Sequence, residues 1–206
     1  MMNVVEFKKL PILGILRGVG LEIIEPLVEA IIVSGLKTIE ITMNSKDALK
    51  LIRQAKKTAG KRLTIGAGTV LDSKSLKSAL DAGASFIVTP VLLKQVTQYC
   101  RKNKIPVFPG ALTPFEIYSA WEAGATMVKV FPAKFFGPQY FQEIKAPFHD
   151  IELLACGGVS AQNMRDYFAY GASAVSFGAS VFKKEWLEKR DFSSISQAIR
   201  GYLPNF

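Results

Sequence analysis

The chain is poor in the residues that build several common kinds of site. Among 206 residues there is one histidine, His149, and there are two cysteines, Cys100 and Cys156. Histidine-based nucleophilic triads and histidine-rich metal sites are thereby excluded. Two isolated cysteines form neither a disulfide framework nor a metal-ligand cluster. No apolar run reaches the length of a membrane span, because Gly, Pro or charge interrupts the densest segments. The start, Met1-Met2-Asn3-Val4-Val5-Glu6, has neither the basic opening nor the long apolar centre of a secretory signal. A cytoplasmic protein without a membrane partner is expected. Acidic residues are also scarce, 17 against 26 basic ones, for a net charge of +9. The excess is not organised for nucleic acid. Lys46, Lys50, Arg53, Lys56, Lys57, Lys61 and Arg62 belong to one predicted helix and its end, and Lys94, Arg101, Lys102 and Lys104 to another. No aromatic-and-basic stripe accompanies them, so no nucleic-acid partner is expected. They read as solvated helix faces, with attraction of an anionic small molecule as a second contribution.

What the chain does have is apolar residues, nearly half of the total at 49%. That is enough for one well-buried domain over 1–206. Four segments share one grammar: a glycine, a short step, then an apolar strand. They are Val33-Ser34-Gly35 into Thr38–Met43, Asp81-Ala82-Gly83 into Phe86–Pro90, Glu122-Ala123-Gly124 into Met127–Phe131, and Ala169-Tyr170-Gly171 into Ala174–Gly178. Each reads as a helix ended by glycine, then a turn into a buried strand. Pro11–Leu16, Leu63–Gly66, Val107–Gly110 and Glu152–Cys156 complete eight strands.

Helical patterns fill the gaps. Leu21–Ser34 and Lys46–Thr58 are amphipathic, Thr113-Pro114-Phe115-Glu116 has the cap, proline and glutamate of a helix start, and Ser160 is expected to cap a helix running to about Tyr170. Gly137-Pro138-Gln139-Tyr140 opens a short helix, 192–202 forms the last, and a short N-terminal helix precedes the first strand. Strands with almost no polar interruption, alternating with helices, call for parallel pairing buried on both faces. Eight units predict an α/β fold of the (β/α)8 TIM-barrel type; a doubly wound open sheet is the alternative.

In a barrel the chemistry gathers at the C-terminal ends of the strands. Lys129 is a lone ammonium in the apolar run Met127-Val128-Lys129-Val130-Phe131-Pro132. Either its stem packs in the wall while its head reaches water, or burial favours the neutral amine, a nucleophile towards carbonyls. Glu40 is a second lone charge, inside Ile39-Glu40-Ile41-Thr42. Either it is a structural ion pair for Lys129, or it is a carboxyl with a raised pKa that moves protons beside an imine-forming lysine. Thr69 is a turn hydroxyl or a donor to a substrate carboxylate. Arg17, before Gly18, is a surface residue or a guanidinium meeting an anion. Pro90 and Phe131 end the fourth and sixth strands and are candidate substrate contacts. Gly157, Gly158, Gly178 and Ser180 close the last two strands, where barrels commonly bind phosphate on backbone N–H groups. His149 is assigned no chemistry. Cys156, just before the glycine pair, either touches the pocket or is a buried, inert thiol, the second being the expectation.

Several of these pieces occur together in one known family: Ile39-Glu40-Ile41-Thr42, Gly66-Ala67-Gly68-Thr69-Val70, Pro109-Gly110, Val128-Lys129-Val130-Phe131-Pro132-Ala133 and Gly157-Gly158-Val159-Ser160. From about Pro11 to Phe182 the chain resembles the pyruvate-forming class I aldolases that act on 2-keto-3-deoxy-6-phosphogluconate (KDPG) and 4-hydroxy-2-oxoglutarate (KHG). The resemblance implies a Schiff-base Lys129, a general acid/base Glu40, Thr69 on the pyruvyl carboxylate, and Gly157, Gly158 and Ser180 on the phosphate. It also implies a homotrimer, no metal and no cofactor, and a place in sugar-acid breakdown of the Entner–Doudoroff kind. One position departs from the pattern: many phosphogluconate members carry arginine four residues after the glutamate, where this chain has Asn44. With Met43-Asn44-Ser45, Leu16-Arg17-Gly18 and Phe136-Gly137-Pro138-Gln139-Tyr140, it is more similar to the 6-phosphogalactonate branch, and Arg17 is available as the missing cation.

The expected activity is cleavage of a 2-keto-3-deoxy-6-phospho sugar acid, gluconate or galactonate epimer, to pyruvate and glyceraldehyde 3-phosphate. Three alternatives stand beside it. One is 4-hydroxy-2-oxoglutarate cleavage, another a phosphate-binding isomerase or synthase without imine chemistry, and the third a basic ligand-binding barrel.

Overall fold

A computed structural model describes residues 1–203; positions 204–206 of the expected domain lie outside the described residues. Eight strands form a closed barrel in chain order, each pairing in parallel with its neighbours. They are β1 (Ile12–Leu16), β2 (Thr38–Thr42), β3 (Thr64–Gly68), β4 (Ile87–Thr89), β5 (Val107–Ala111), β6 (Val128–Val130), β7 (Leu153–Cys156) and β8 (Ala174–Phe177). Closure comes from β1 on β8, with Ile12 opposite Val175 and Gly14 opposite Phe177. The (β/α)8 expectation holds and the open-sheet alternative does not.

The helices are α1 (Val4–Lys9), α2 (Ile24–Ser34), α3 (Ala48–Ala59), α4 (Ser73–Asp81), α5 (Lys94–Lys102), α6 (Pro114–Glu122), α7 (Gln139–Lys145), α8 (Met164–Ala169), α9 (Lys184–Glu188) and α10 (Phe192–Arg200). The repeated glycine grammar has one local cause. Gly35, Gly83, Gly124 and Gly171 all take φ near +100° (101°, 101°, 99° and 98°), which residues with a Cβ rarely adopt. Their N–H groups donate back to Ile32, Leu80, Trp121 and Phe168 at 2.8–3.0 Å, satisfying helix-end carbonyls. In the last three repeats the alanine after the glycine donates five residues back, at 2.9–3.2 Å. The next residue then joins the neighbouring strand, as when Ser173 N–H donates to Leu153 O at 2.7 Å. Helix stop and strand entry are thus one motif.

Two helix starts differ from expectation. Residues 21–23 form a single 3₁₀ turn before α2. Ser160 does not cap α8, which begins at Met164; Ser160 and Asn163 instead exchange hydrogen bonds, Ser160 N–H to Asn163 Oδ1 at 2.8 Å and Asn163 N–H to Ser160 Oγ at 3.4 Å. The serine is spent on a turn that delays the helix. The capping box of α6, by contrast, forms between Thr113 and Glu116.

Alternation along each strand sorts the core into two layers. Ile39, Ile41, Ile65, Ile87, Val107, Val128, Val130, Leu153 and Val175 face the helices and join the larger cluster. Leu13, Phe86, Val88, Phe108, Met127, Leu154 and Ala174 fill the barrel, together with Met2 and Phe7 from the N-terminal segment. Phe7 and Phe108 ring centres lie 6.0 Å apart, and Phe86 and Phe108 5.7 Å, so α1 closes the lower end of an aromatic plug. Truncating one such phenylalanine to alanine would cost about 3–5 kcal/mol. Above the plug the inward positions change character. Continuing by two residues from Met127, Leu154 and Ala174 reaches Lys129, Cys156 and Ser176, all buried.

Candidate active site

Lys129 stands in the middle of β6, opposite Gly110 of β5 and Leu154 of β7. Strand geometry forces its side chain into the barrel, because Val128 and Val130 are committed to the helix layer. It is 7% exposed and lines a cavity of about 400 Å³ at the C-terminal mouth. The cavity is bounded by β1 and β6–β8: Arg17, Phe131, Gly157, Gly158, Gly178 and Ser180 all contribute to its wall. Lys129 Nζ lies 5.2 Å from the centre of the Phe131 ring. Gly157 and Gly158 take φ of +90° and +87°, so the turn needs glycine twice. The Ser180 hydroxyl is 3.1 Å from Tyr202 OH, which also donates to Val159 O at 3.3 Å.

Glu40 enters from β2 and is 1% exposed. Its carboxyl occupies space that exists because residue 68 is glycine: a Cβ there would lie 2.6 Å from Glu40 Cδ. Glu40 Oε2 is buried with no hydrogen-bond partner in the protein. An orphaned buried oxygen is costly and calls for a role. Among the described residues Glu40 and Lys129 form no ion pair within 4.0 Å, which removes the structural salt-bridge reading. They nevertheless feel each other electrostatically, and Arg17 acts on both.

Burial dominates the titration of this group. It raises the Glu40 carboxyl above the usual carboxylate range, against the pull of Lys129 and then Arg17. It also raises the Cys156 thiol, against the opposing pull of Lys129 and Ser176. On Lys129 burial again acts first and favours the free amine; an ionised Cys156 and Glu40 act in the opposite sense, and with both charged the balance lies above the ordinary lysine value. With both in their protonated forms, burial and the Arg17 guanidinium remain, and each favours neutral Lys129.

Glu40, Thr69 and Pro90 lie on the opposite arc and do not line this cavity. Thr69 follows Gly68 at φ +55°, a conformation strained for a β-branched residue, beside the pocket that holds Glu40. The Pro90 carbonyl is packed where a Cβ on Gly110 would be. His149 is exposed and pairs with Asp150 at 3.2 Å, away from the cavity. Cys156 is buried as expected but lines the cavity beside Lys129. Ser176 was not singled out by the sequence. It too lines the cavity, its hydroxyl donating to Ala155 O at 3.1 Å. A lone hydroxyl in an apolar strand was the signal, of the same kind as Lys129 and Glu40.

These features sit on a chain with clear relatives. The family model "KDPG and KHG aldolase" matches residues 4–198. The chain belongs to the KDPG/KHG aldolase family. It is therefore an aldolase, a carbon–carbon lyase. It is 37% identical over 174 residues to the Rhizobium meliloti protein named "Probable 2-dehydro-3-deoxy-6-phosphogalactonate aldolase", covering 84% of this chain and 82% of that one. It is 32% identical over 202 residues to the 2-dehydro-3-deoxy-phosphogluconate aldolase of Pseudomonas aeruginosa, covering 98% and 90%. A solved structure described as "Native KDPGal structure" superposes with a TM-score of 0.88 at 31% identity, covering 95% of this aldolase and 93% of that chain. A synthase or isomerase without imine chemistry and a non-enzymatic basic barrel are not favoured by these likenesses. Among the described residues of the aldolase, no helix is long and apolar enough to cross a membrane.

Proposed function

We propose that this aldolase cleaves a 2-keto-3-deoxy-6-phospho sugar acid to pyruvate and glyceraldehyde 3-phosphate through a Schiff base on Lys129. The observation that carries the reading is a buried amine and a buried carboxyl that point into one barrel and act on each other electrostatically without an ion pair, the carboxyl keeping an orphaned oxygen. Relatives named for both epimers match at similar identity, so the substrate is proposed as a class.

Neutral Lys129 attacks the C2 ketone. The new N–C bond forms as the carbonyl electrons move to oxygen, which takes a proton from Glu40. The nitrogen then gives up one of its protons to that oxygen, which leaves as water while the nitrogen lone pair forms the C=N bond, so that an iminium and a Glu40 carboxylate remain. The carboxylate removes the C4 hydroxyl proton. The O–H electron pair becomes the second C4–O bond of the aldehyde, the C3–C4 pair becomes the C2=C3 bond of an enamine, and the iminium π electrons return to nitrogen. After the aldehyde departs, Glu40 protonates C3; water then adds to C2 of the iminium, and its surplus proton returns to the Glu40 carboxylate as the C–N bond breaks, which releases pyruvate and regenerates the neutral amine. A carboxyl with a raised pKa suits both directions of transfer.

The remaining assignments follow from position and chemistry. Gly157, Gly158, Gly178 and Ser180 take the phosphate, with Arg17 supplying charge on the same arc. Thr69 takes the pyruvyl carboxylate from the other side, and Phe131 and Pro90 are apolar walls. No metal or cofactor enters this scheme. A cytoplasmic homotrimer is part of the proposal; exposed aromatics at Phe115 (79%), Phe135 (70%) and Phe136 (55%) support burial against a second copy. Light scattering that returns a monomer would remove that element.

The chemical test is borohydride reduction in the presence of pyruvate. A covalent adduct on Lys129, lost in Lys129→Ala, is expected. Wild-type protein that forms no adduct would defeat the imine mechanism.

A further inference from the structure

We propose that Ser45 is a positioning residue for Arg17: its hydroxyl fixes the Arg17–Gly18 turn and so sets where the guanidinium meets the distal phosphate monoester. The inference rests on the reading above that this arc of the mouth takes the anionic end of the substrate.

Gly18 takes φ +67°, a left-handed conformation that its missing Cβ allows. Its N–H donates to Ser45 Oγ at 2.9 Å, across 27 residues of sequence. Ser45 Oγ is in turn 3.0 Å from Thr42 Oγ1, and Ser45 N–H donates to Thr42 O at 2.9 Å. Ser45 is 8% exposed and Thr42 fully buried, so the Thr42–Ser45 bond is shielded from water, while the bond to the exposed Gly18 is part-buried. Thr42 ends β2, two residues beyond Glu40 and on the same face of the strand. One hydrogen-bonded chain therefore runs from the strand that carries Glu40, through Thr42 and Ser45, to the backbone beside Arg17.

Arg17 itself is exposed at the cavity mouth, and among the described residues no carboxylate pairs with it within 4.0 Å. No ion pair among the described residues holds its head in place. A long side chain that must order on an anion loses rotamer freedom, and a fixed backbone anchor limits the loss. Ser45 supplies that anchor. Without its hydroxyl the partly buried Gly18 N–H loses its partner and the turn relaxes. The strand ladder holding Glu40 between β1 and β3 is unaffected.

The test compares Ser45→Ala, Ser45→Thr, Arg17→Ala and the Ser45→Ala/Arg17→Ala double variant. Inorganic phosphate affinity is measured by calorimetry, and pyruvate trapping by borohydride. Ser45→Ala should weaken phosphate binding, and raise KM for a phosphorylated substrate, by about three- to tenfold, the effect of one hydrogen bond. Its kcat and pyruvate trapping should stay within about twofold of wild type, because pyruvate has no distal anion. Ser45→Thr should restore phosphate binding. The double variant should be no weaker than Arg17→Ala, since both changes act through one group. Unchanged phosphate affinity in Ser45→Ala, additivity with Arg17→Ala, or an equal loss of pyruvate trapping would each overturn the proposal. So would a wild-type protein that does not bind phosphate. A wild type that binds phosphate but traps no pyruvate would instead reject the imine reading and leave the Ser45 comparison intact.

Discussion

Gly68→Ala should damage catalysis more than folding. Gly68 ends β3 opposite Thr42, and the space above its Cα is filled by the Glu40 carboxyl. An alanine methyl would lie 2.6 Å from Glu40 Cδ and 3.2 Å from Cγ. Ordinary carbon contacts are about 3.5–4.0 Å, so the carboxyl has to retreat by roughly 1 Å. Gly68 does not sit in the left-handed region, so alanine adds no backbone strain of its own. Glu40 is 1% exposed and cannot swing into solvent to relieve the clash. Overpacking of this kind costs about 1–3 kcal/mol, or a few degrees of Tm for a chain of this size. A misplacement of about 1 Å costs on the order of 100-fold in rate. Steady-state kinetics of aldol cleavage, with thermal unfolding followed by circular dichroism, checks both numbers. Gly68→Ala protein that folds and keeps kcat within a few-fold of wild type would refute the idea that the carboxyl must stand where it does.

Glu40→Gln should fold and lose about 10²–10⁴ in kcat. The raised pKa of Glu40 also sets a pH signature: its stabilising contribution is complete below the unfolded-state value and is lost as pH rises through the higher folded value. The Tm of Glu40→Gln relative to wild type should therefore climb as pH rises above the ordinary carboxylate range; a flat or opposite trend in calorimetry contradicts the assignment. Gly158→Ala meets the Lys134 Cβ at a φ of +87°, and should raise KM for phosphorylated substrate while sparing pyruvate trapping, as competition by inorganic phosphate would reveal.

Local chemistry made much of the barrel legible in advance. Four glycines able to take φ near +100° mark helix stops, and uninterrupted apolar runs after them mark strands buried on both faces. Lys129 and Glu40 stood out because a lone charge in such a run is expensive wherever the strand ends up. The motifs around them resemble those of the family on their own. Helix starts were less legible, as Ser160 shows, because a serine can bond a turn as readily as a cap.

Sequence could not say which strand ends share a cavity. That depends on closure of β1 on β8, which brings Arg17 beside Gly157 and Ser180 from the far end of the chain and leaves Thr69 and Pro90 on the other arc. Nor could it separate a salt bridge from an unpaired carboxyl, since both need the same two residues and differ only in distance. The space at Gly68 and the bond from Gly18 to Ser45 were likewise decided by packing. Residue type fixes what a group can do, whereas only the closed barrel fixes what stands within reach of it.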